Sequence, residues 1–401
     1  VTADILATPG IAVDIYASGS IIDNNGAALN IQASSGVTRL EAGLDIGFAS
    51  SDVFKPTPAD PLEVRSAEIE IVAARNVAVH ETGSGKVTIL TADSAFLTSA
   101  NDLDLSGGTI TTANLSLLAT GTLTLPSSAT PLSVSGDLRI EAADVAAGGT
   151  GVIDVNAMRL LFKSGQGETL NLTVQEFDGE ASGDLAINND SAALELVDLD
   201  CDLTAIDVGS GVATISQAAS AVVSQRLPST PQTNSKILAG SLVLNGSGTF
   251  ELTNAYNNVA VLAGNNTGAV TYKDLDAISI DAVGSVHGLT SGNNDVLLDV
   301  GTTLTISQTL NAGTGNVRIL SKGAISQVAA GTITADLLGI RNEAATGDIV
   351  LDDANDVNTV AIQNTAVGGV VAFENVDDFI IGTVTAQTLD QANFAETSGI
   401  H

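Results

Sequence analysis

The sequence predicts an all-β solenoid, a β-helix with about 20 residues per rung and few or no helices. Three observations carry that prediction. A short phrase recurs as TISQ at 214–217, TISQ at 305–308 and AISQ at 324–327, the last two copies about one rung apart. It alternates with Gly-x-apolar-x-apolar runs such as GNVRILS (315–321) and GDIVLDD (347–353). Short strands between glycines at such a period are the mark of stacked rungs. Helical periodicity, by contrast, is nearly absent. The segment AEIEIVAARNVAVH (67–80) reads as alternating strand, because Ile69 and Ile71, then Val77 and Val79, keep one parity within each half. Finally, aromatic residues make up only 3% of the chain and Trp is missing. The core must therefore be built from aliphatic side chains of similar size, which suits a narrow tube filled by stacked ladders.

Along the chain the same grammar repeats. It appears in ASGSIIDNNGAALNIQASSG (17–36), GKVTILTADS (85–94), GDLRIEAADV (136–145), GVIDVNAMRL (151–160), GSLVLNGSGTFELTN (240–254) and GTITADLLGI (331–340). Each is strand, turn, strand, with Gly, Asn and Asp supplying the positive φ of tight corners. The proline-bearing stretches FKPTPADP (54–61) and RLPSTPQTN (226–234) break the rhythm, because proline cannot donate to a ladder. They read as loops protruding from one continuous solenoid over residues 1–401. A longer echo relates 257–283 to 356–384, matching Tyr272 with Phe373, Asp276 with Asp377 and Ile280 with Ile381, as if a block of rungs had been duplicated. Strand pattern runs from the first residues nearly to His401 without a polar cap, which points to self-association with neighbouring copies or to flanking segments of a longer chain.

The runs YASGSIIDNNGAALNIQASSGVTRLEAG (16–43) and GNVRILSKGAISQVAAGTITADLLGI (315–340) resemble the filamentous-haemagglutinin type of repeat found in giant bacterial surface proteins, adhesins and autotransporter passengers. The resemblance is one of grammar and covers nearly the whole chain. It implies a right-handed parallel β-helix, an extracellular or cell-surface location on a bacterium, and a role as stalk, adhesin or surface-layer component. The NPNG-like motif that opens two-partner-secreted adhesins is missing, which leaves the export route open.

Composition narrows the chemistry. With 46 acidic against 14 basic residues the formal net charge is −32, which argues against nucleic acid as a partner. No run of 18 apolar residues exists, so no membrane-spanning helix is expected. The single Cys201 lies in LVDLDCDLTAID (196–207), where alternation with Asp198, Asp200 and Asp202 predicts that it points inward as a small hydrophobe. The three histidines, His80, His287 and His401, are scattered, and no G-x-S-x-G elbow occurs. Paired carboxylates (Asp102 and Asp104; Asp198, Asp200 and Asp202; Asp274 and Asp276) read as the solvated parity of strands. A β-helical carbohydrate-active enzyme would need such acids on one face together with aromatic platforms for sugar rings, and few rings are present. The chain is therefore expected not to be an enzyme. For a cofactor, calcium is the candidate. Asp352, Asp353, Asn355 and Asp356 in DDANDVN (352–358) offer hard oxygen ligands, although the same run reads more readily as a polar Asx-rich turn. AGGTGVIDV (147–155) approaches a calcium β-roll nonapeptide with Asp154 one position late. The leading functional expectation is a structural module, a rod or filament building block. The alternative is an adhesin that binds a glycan or a host cell surface through the loops at 54–61 and 226–234.

Overall fold

The computed structural model describes residues 11–401 except 48–51, 55–59, 128, 148–151, 191–192, 219–220, 228–234, 266 and 329. Every regular element among the described residues is a β-strand. The strands pair almost entirely in parallel with strands about one rung away, the pattern of a parallel β-helix. The chain divides into two compact units, Val1–Ser182 and Gly183–His401.

In the first unit, the strands Gly85–Ser99, Thr109–Leu125, Asp137–Ala147 and Arg159–Ser164 stack in turn. Period-2 alternation sends Ala95, Leu115, Leu138, Leu160 and Phe177 into one interior ladder. A second ladder runs Leu97, Leu117, Ile140, Phe162. All are buried. Where Phe162 needs room, its neighbour in the next strand is Gly179. Large beside small keeps the tube evenly filled.

In the second unit, one ladder climbs Phe250, Val270, Val296, Val317, Leu338, Val360. Another climbs Leu252, Tyr272, Leu298, Ile319, Ile340, Ile362. Each of these residues is at most 1% exposed, so the interior is closed along its length. The rung length varies with the corners. Leu242 pairs with Leu262 on the rung that follows it, yet the step that brings Ala213 to Leu242 takes a much longer stretch of chain.

The isoleucines of the recurring phrase keep their role, but the phrase does not keep its register. Ile215, Ile306 and Ile325 all point inward and are fully buried. Yet Ile306 of the second copy pairs with Gln327 of the third, not with Ile325. The rung here is longer than the spacing of the phrase, which has slipped by two. A slip of two preserves inward parity, which is why packing tolerates it. The glutamines serve the corners. Gln217 accepts from Asn189 Nδ2 at 2.9 Å, and Gln225 and Asn257 exchange amide hydrogen bonds at 2.8 and 3.0 Å. Gln327 and Asn355 do the same at 2.6 and 3.2 Å. Such pairs satisfy polar groups that a dry interior would otherwise penalise.

Several expectations need correction. Cys201 is exposed, not inward, and both it and Leu203 have positive φ. The cause is Asp198, which is buried and accepts the backbone N–H groups of Cys201, Asp202 and Leu203 at 2.6, 3.1 and 3.2 Å. The chain wraps around that carboxylate, and a turn has no period of 2. Asp274 also leaves the solvated parity. It is 2% exposed and accepts from Tyr272 Oη at 2.7 Å and from the N–H groups of Asp276 and Val259 at 3.0 and 3.1 Å. Tyr272, matched with Phe373 in the sequence echo, stands in the ladder that leads to Ile362, whereas Phe373 pairs with Leu351. The echo therefore does not map ladder onto ladder. Most of 226–234 lies outside the described residues, as do 55–59, but Phe54 does not protrude. It is buried, with the Arg159 guanidinium 4.9 Å over its ring.

The last residues leave the coil. Thr383–Val384 pairs antiparallel with Thr397–Ser398, and Gln387–Leu389 pairs antiparallel with Ala392–Phe394. This strap is an excursion that closes on itself, with Gly399 N–H donating to the Gly382 carbonyl at 2.8 Å. Ile400 then rejoins the coil beside Ile362. The strand pattern thus does not run as rungs to His401.

Two outcomes follow from this interior. Replacing Asn355 by Ala takes one partner from each end of the Gln327 amide and the side-chain donor from the carbonyls of Leu351, Asp353 and Glu374, and is expected to lower stability by about 3 kcal/mol in urea unfolding. Burial raises the Asp274 carboxyl from 3.8 to about 7. Folding therefore takes up a proton between those pH values, and stability falls as pH rises through them, by up to about 4 kcal/mol. Unfolding curves across that window are expected to show the fall, and Asp274→Asn should flatten it.

Candidate functional site

The four residues expected to gather calcium lie in the strand Ile349–Asn364, where alternation separates them. Asn355 faces the interior, and its Oδ1 already accepts from Gln327 Nε2 and from the Ile333 N–H at 2.9 Å. Asp352 and Asp356 face out and are exposed, and Asp353 is half-buried. The set therefore does not converge as drawn, and Asn355 belongs to the framework. Asp154 accepts from Asn171 Nδ2 at 2.9 Å, while most of the glycine run before it lies outside the described residues. Outward carboxylates named from sequence hold backbone, Asp102 on the next rung and Asp104 in its own turn. Asp102 accepts the Thr122 N–H at 2.8 Å and Asp104 the Ser106 N–H at 2.7 Å. His80 is half-buried with Nδ1 2.6 Å from Thr98 Oγ1, and burial lowers its pKa; His287 and His401 are exposed.

What sequence reasoning missed is that one outward row in each unit is covered. In the second unit the outward ladder Leu297, Arg318, Gly339, Ala361 crosses successive strands. The strap lies on it. Val384, Ala392 and Phe394 are fully buried against Leu297 and Ala361. Gly339 makes this fit, since a Cβ there would stand 2.6 Å from Phe394 Cζ and 2.8 Å from Val384 Cγ1. Arg318, only 5% exposed, binds the strap through the Thr385 carbonyl at 3.0 Å and Gln387 Oε1 at 2.8 Å, while Asp295 Oδ2 accepts from it at 2.9 Å. Burial alone would raise the Asp295 carboxyl, but the bonds from Asn316 and Arg318 outweigh it and hold the pKa below the ordinary value. Beside this, buried Asp299 accepts from Lys273 and, at 3.4 Å, from the Asn393 N–H. The Ala255 N–H donates to Gln391 Oε1 at 2.9 Å.

The first unit repeats the device. Its outward ladder Ala78, Phe96, Ser116, Arg139, Leu161, Asp178 is buried or nearly so. Arg139 Nη1 donates to the Phe54 carbonyl at 3.1 Å. The sequence does carry a signal for these rows, namely apolar triplets where alternation demands a polar middle residue: VAV (77–79), AFL (95–97), LLF (160–162), VLL (296–298) and VAI (360–362).

The second site is the last rung. Among the described residues, Val371–Asn375 and Ile380–Ile381 pair with the preceding strand alone. The interior ladders run uncovered into this rung. Val360, fully buried, is followed by Ile381 at 57% exposure, and Ile362, also fully buried, by Ile400 at 37%. Ile380 and Val376 widen the apolar patch, and exposed Glu374, Asp377 and Asp378 flank it.

No family model matches this chain, and neither the curated proteins nor the solved structures contain one similar to it.

The strap is testable by truncation of its anchor. Phe394→Ala should cost about 3 kcal/mol and open the strap. Limited proteolysis is expected to cut within 383–398 of the variant while the coil survives; equal protection of variant and parent would contradict this.

Proposed function

We propose that this chain is a non-catalytic structural module, a building block of a larger β-helical array on a bacterial surface. The observation that carries the reading is where the chemistry-bearing side chains go. Asp198, Asp274, Asn355 and Gln327 each hold backbone or one another inside the framework. Arg139 and Arg318 fasten covering segments to the flank. Functional groups used in this way build rigidity and not a reaction centre. The repeat grammar and the acidic balance of −32 are consistent with a solvated surface location. The interior filled by buried side chains supports the same reading, because it makes each rung depend on its neighbours and so favours extension.

A panel of polysaccharides, esters and phosphoesters incubated with the chain should give no turnover. Hydrolysis that disappears on replacing the exposed Asp352 or Asp356 would overturn the reading.

A further inference from the structure

We propose that Asp23, Asp60 and Glu63, all in the first unit, form a binding site for one calcium ion. The acids of 352–358 are separated by their strand, whereas here the fold gathers acids that stand apart in the chain. Asp23 lies in the turn that leads into Ile31–Ala42, and Glu63 opens the strand Leu62–Ala73 that pairs with it. One amide fixes both. Asn30 Nδ2 donates to Asp23 Oδ1 at 2.6 Å, and Asn30 Oδ1 accepts the Glu63 N–H at 2.7 Å. The Asn25 N–H donates to the same Asp23 Oδ1 at 3.0 Å. Asp60, just before the strand, brings an exposed carboxyl into hydrogen-bonding reach of Asp23.

A group of acids means little on a chain with so many. What points to a ligand is the state of the oxygens inside the group. Asp23 and Glu63 are each only 4% exposed, yet Asp23 Oδ2 and Glu63 Oε2 meet no hydrogen-bond donor among the described residues. A buried charge without a partner is costly, so such a carboxyl takes up either a proton or a cation. Burial, with the neighbouring charges of Asp23 and Asp60, raises the Glu63 carboxyl above its ordinary value. A cation among the three carboxyls removes that penalty and their mutual repulsion together.

The donor set selects the cation. Asp23, Asp60 and Glu63 offer carboxylate oxygens. His80 follows Glu63 in register on the next strand, but its Nδ1 is engaged by Thr98 Oγ1. An oxygen set suits a hard cation and not zinc. Magnesium sheds its waters reluctantly, whereas calcium takes bare carboxylate oxygens in irregular geometry, which fits oxygens closed off from solvent. Asn30 is then a positioning residue, since it holds Asp23 by the side chain and Glu63 by the backbone. Bound there, the ion ties the turn at 23–30 to the strand Leu62–Ala73.

The test is calorimetric titration of the full chain, first stripped with chelator, using calcium chloride in salt that screens the surface charge. Glu63→Gln and Asp60→Asn probe the site, and a chain carrying both Asp352→Asn and Asp356→Asn is the control for exposed acids elsewhere. The parent and the control should bind one ion tightly, and each site variant should bind it at least about tenfold more weakly. Melting gives a second readout. In chelator Glu63→Gln should melt at or above the parent, because an amide carries no charge to bury; with calcium the order should reverse. Asp60 is exposed, so Asp60→Asn is expected to fold like the parent and carries the test if Glu63→Gln does not fold. A parent that binds only many ions weakly overturns the proposal, as does a site variant that binds calcium as the parent does. A melting order that calcium leaves unchanged, or magnesium bound as tightly as calcium, overturns it too.

Discussion

The interior ladder is the constraint on which everything else depends. A tube this narrow has no central layer. Each inward side chain is buried by the equivalent residue one rung above and one rung below, as in Val296, Val317, Leu338 and Val360. Each such aliphatic residue contributes roughly 1.5–3 kcal/mol, and ladder continuity decides whether that burial is complete. It explains why aromatic residues are scarce, why Phe162 sits beside Gly179, and why the recurring phrase can slip by two positions but never by one. It also explains the buried amide pairs. Where a corner brings Gln or Asn inward, an amide on a neighbouring rung and nearby backbone groups together satisfy it.

A coil of ladders still has to deal with its outer surface. The second unit covers one outward row with a strap that leaves the coil, and both units place an arginine in such a row to donate to a backbone carbonyl, of Thr385 in the second and of Phe54 in the first. Guanidinium suits the task because its fixed fork reaches several acceptors at once. Arg318 engages Thr385, Gln387 and Asp295 together. The strap therefore couples the rung that carries Ile400 to the flank of the strands before it.

Much of the fold was legible because a β-ladder writes itself into sequence with period 2 and a rung-length repeat. Ile69, Ile71, Val77, Val79, and the isoleucines of the three phrase copies are inward as their parity predicts. The covered rows were less legible although a signal was there, since a triplet such as VLL at 296–298 reads as a generous strand until something is found lying on its middle residue. Cys201 and Asp274 escaped for a different reason. Parity assigns a side chain to a face only while the backbone stays extended, and a buried carboxylate that captures neighbouring N–H groups ends that condition.

The sequence by itself determined the class of fold, the aliphatic character of the core and the residues that turn inward, because these follow from local alternation and composition. Register, the identity of the amide partners, the fate of Asp352, Asp353, Asn355 and Asp356, and the folding back of 383–398 were decided only by tertiary structure. The physical reason is that corners differ in length. Leu160 reaches its partner Phe177 after a short stretch of chain and Ala213 reaches Leu242 only after a far longer one, and no local pattern records which. The uncovered ladder ends at Ile381 and Ile400 belong to the same category, since exposure is a property of what is stacked above a residue and not of the residue itself.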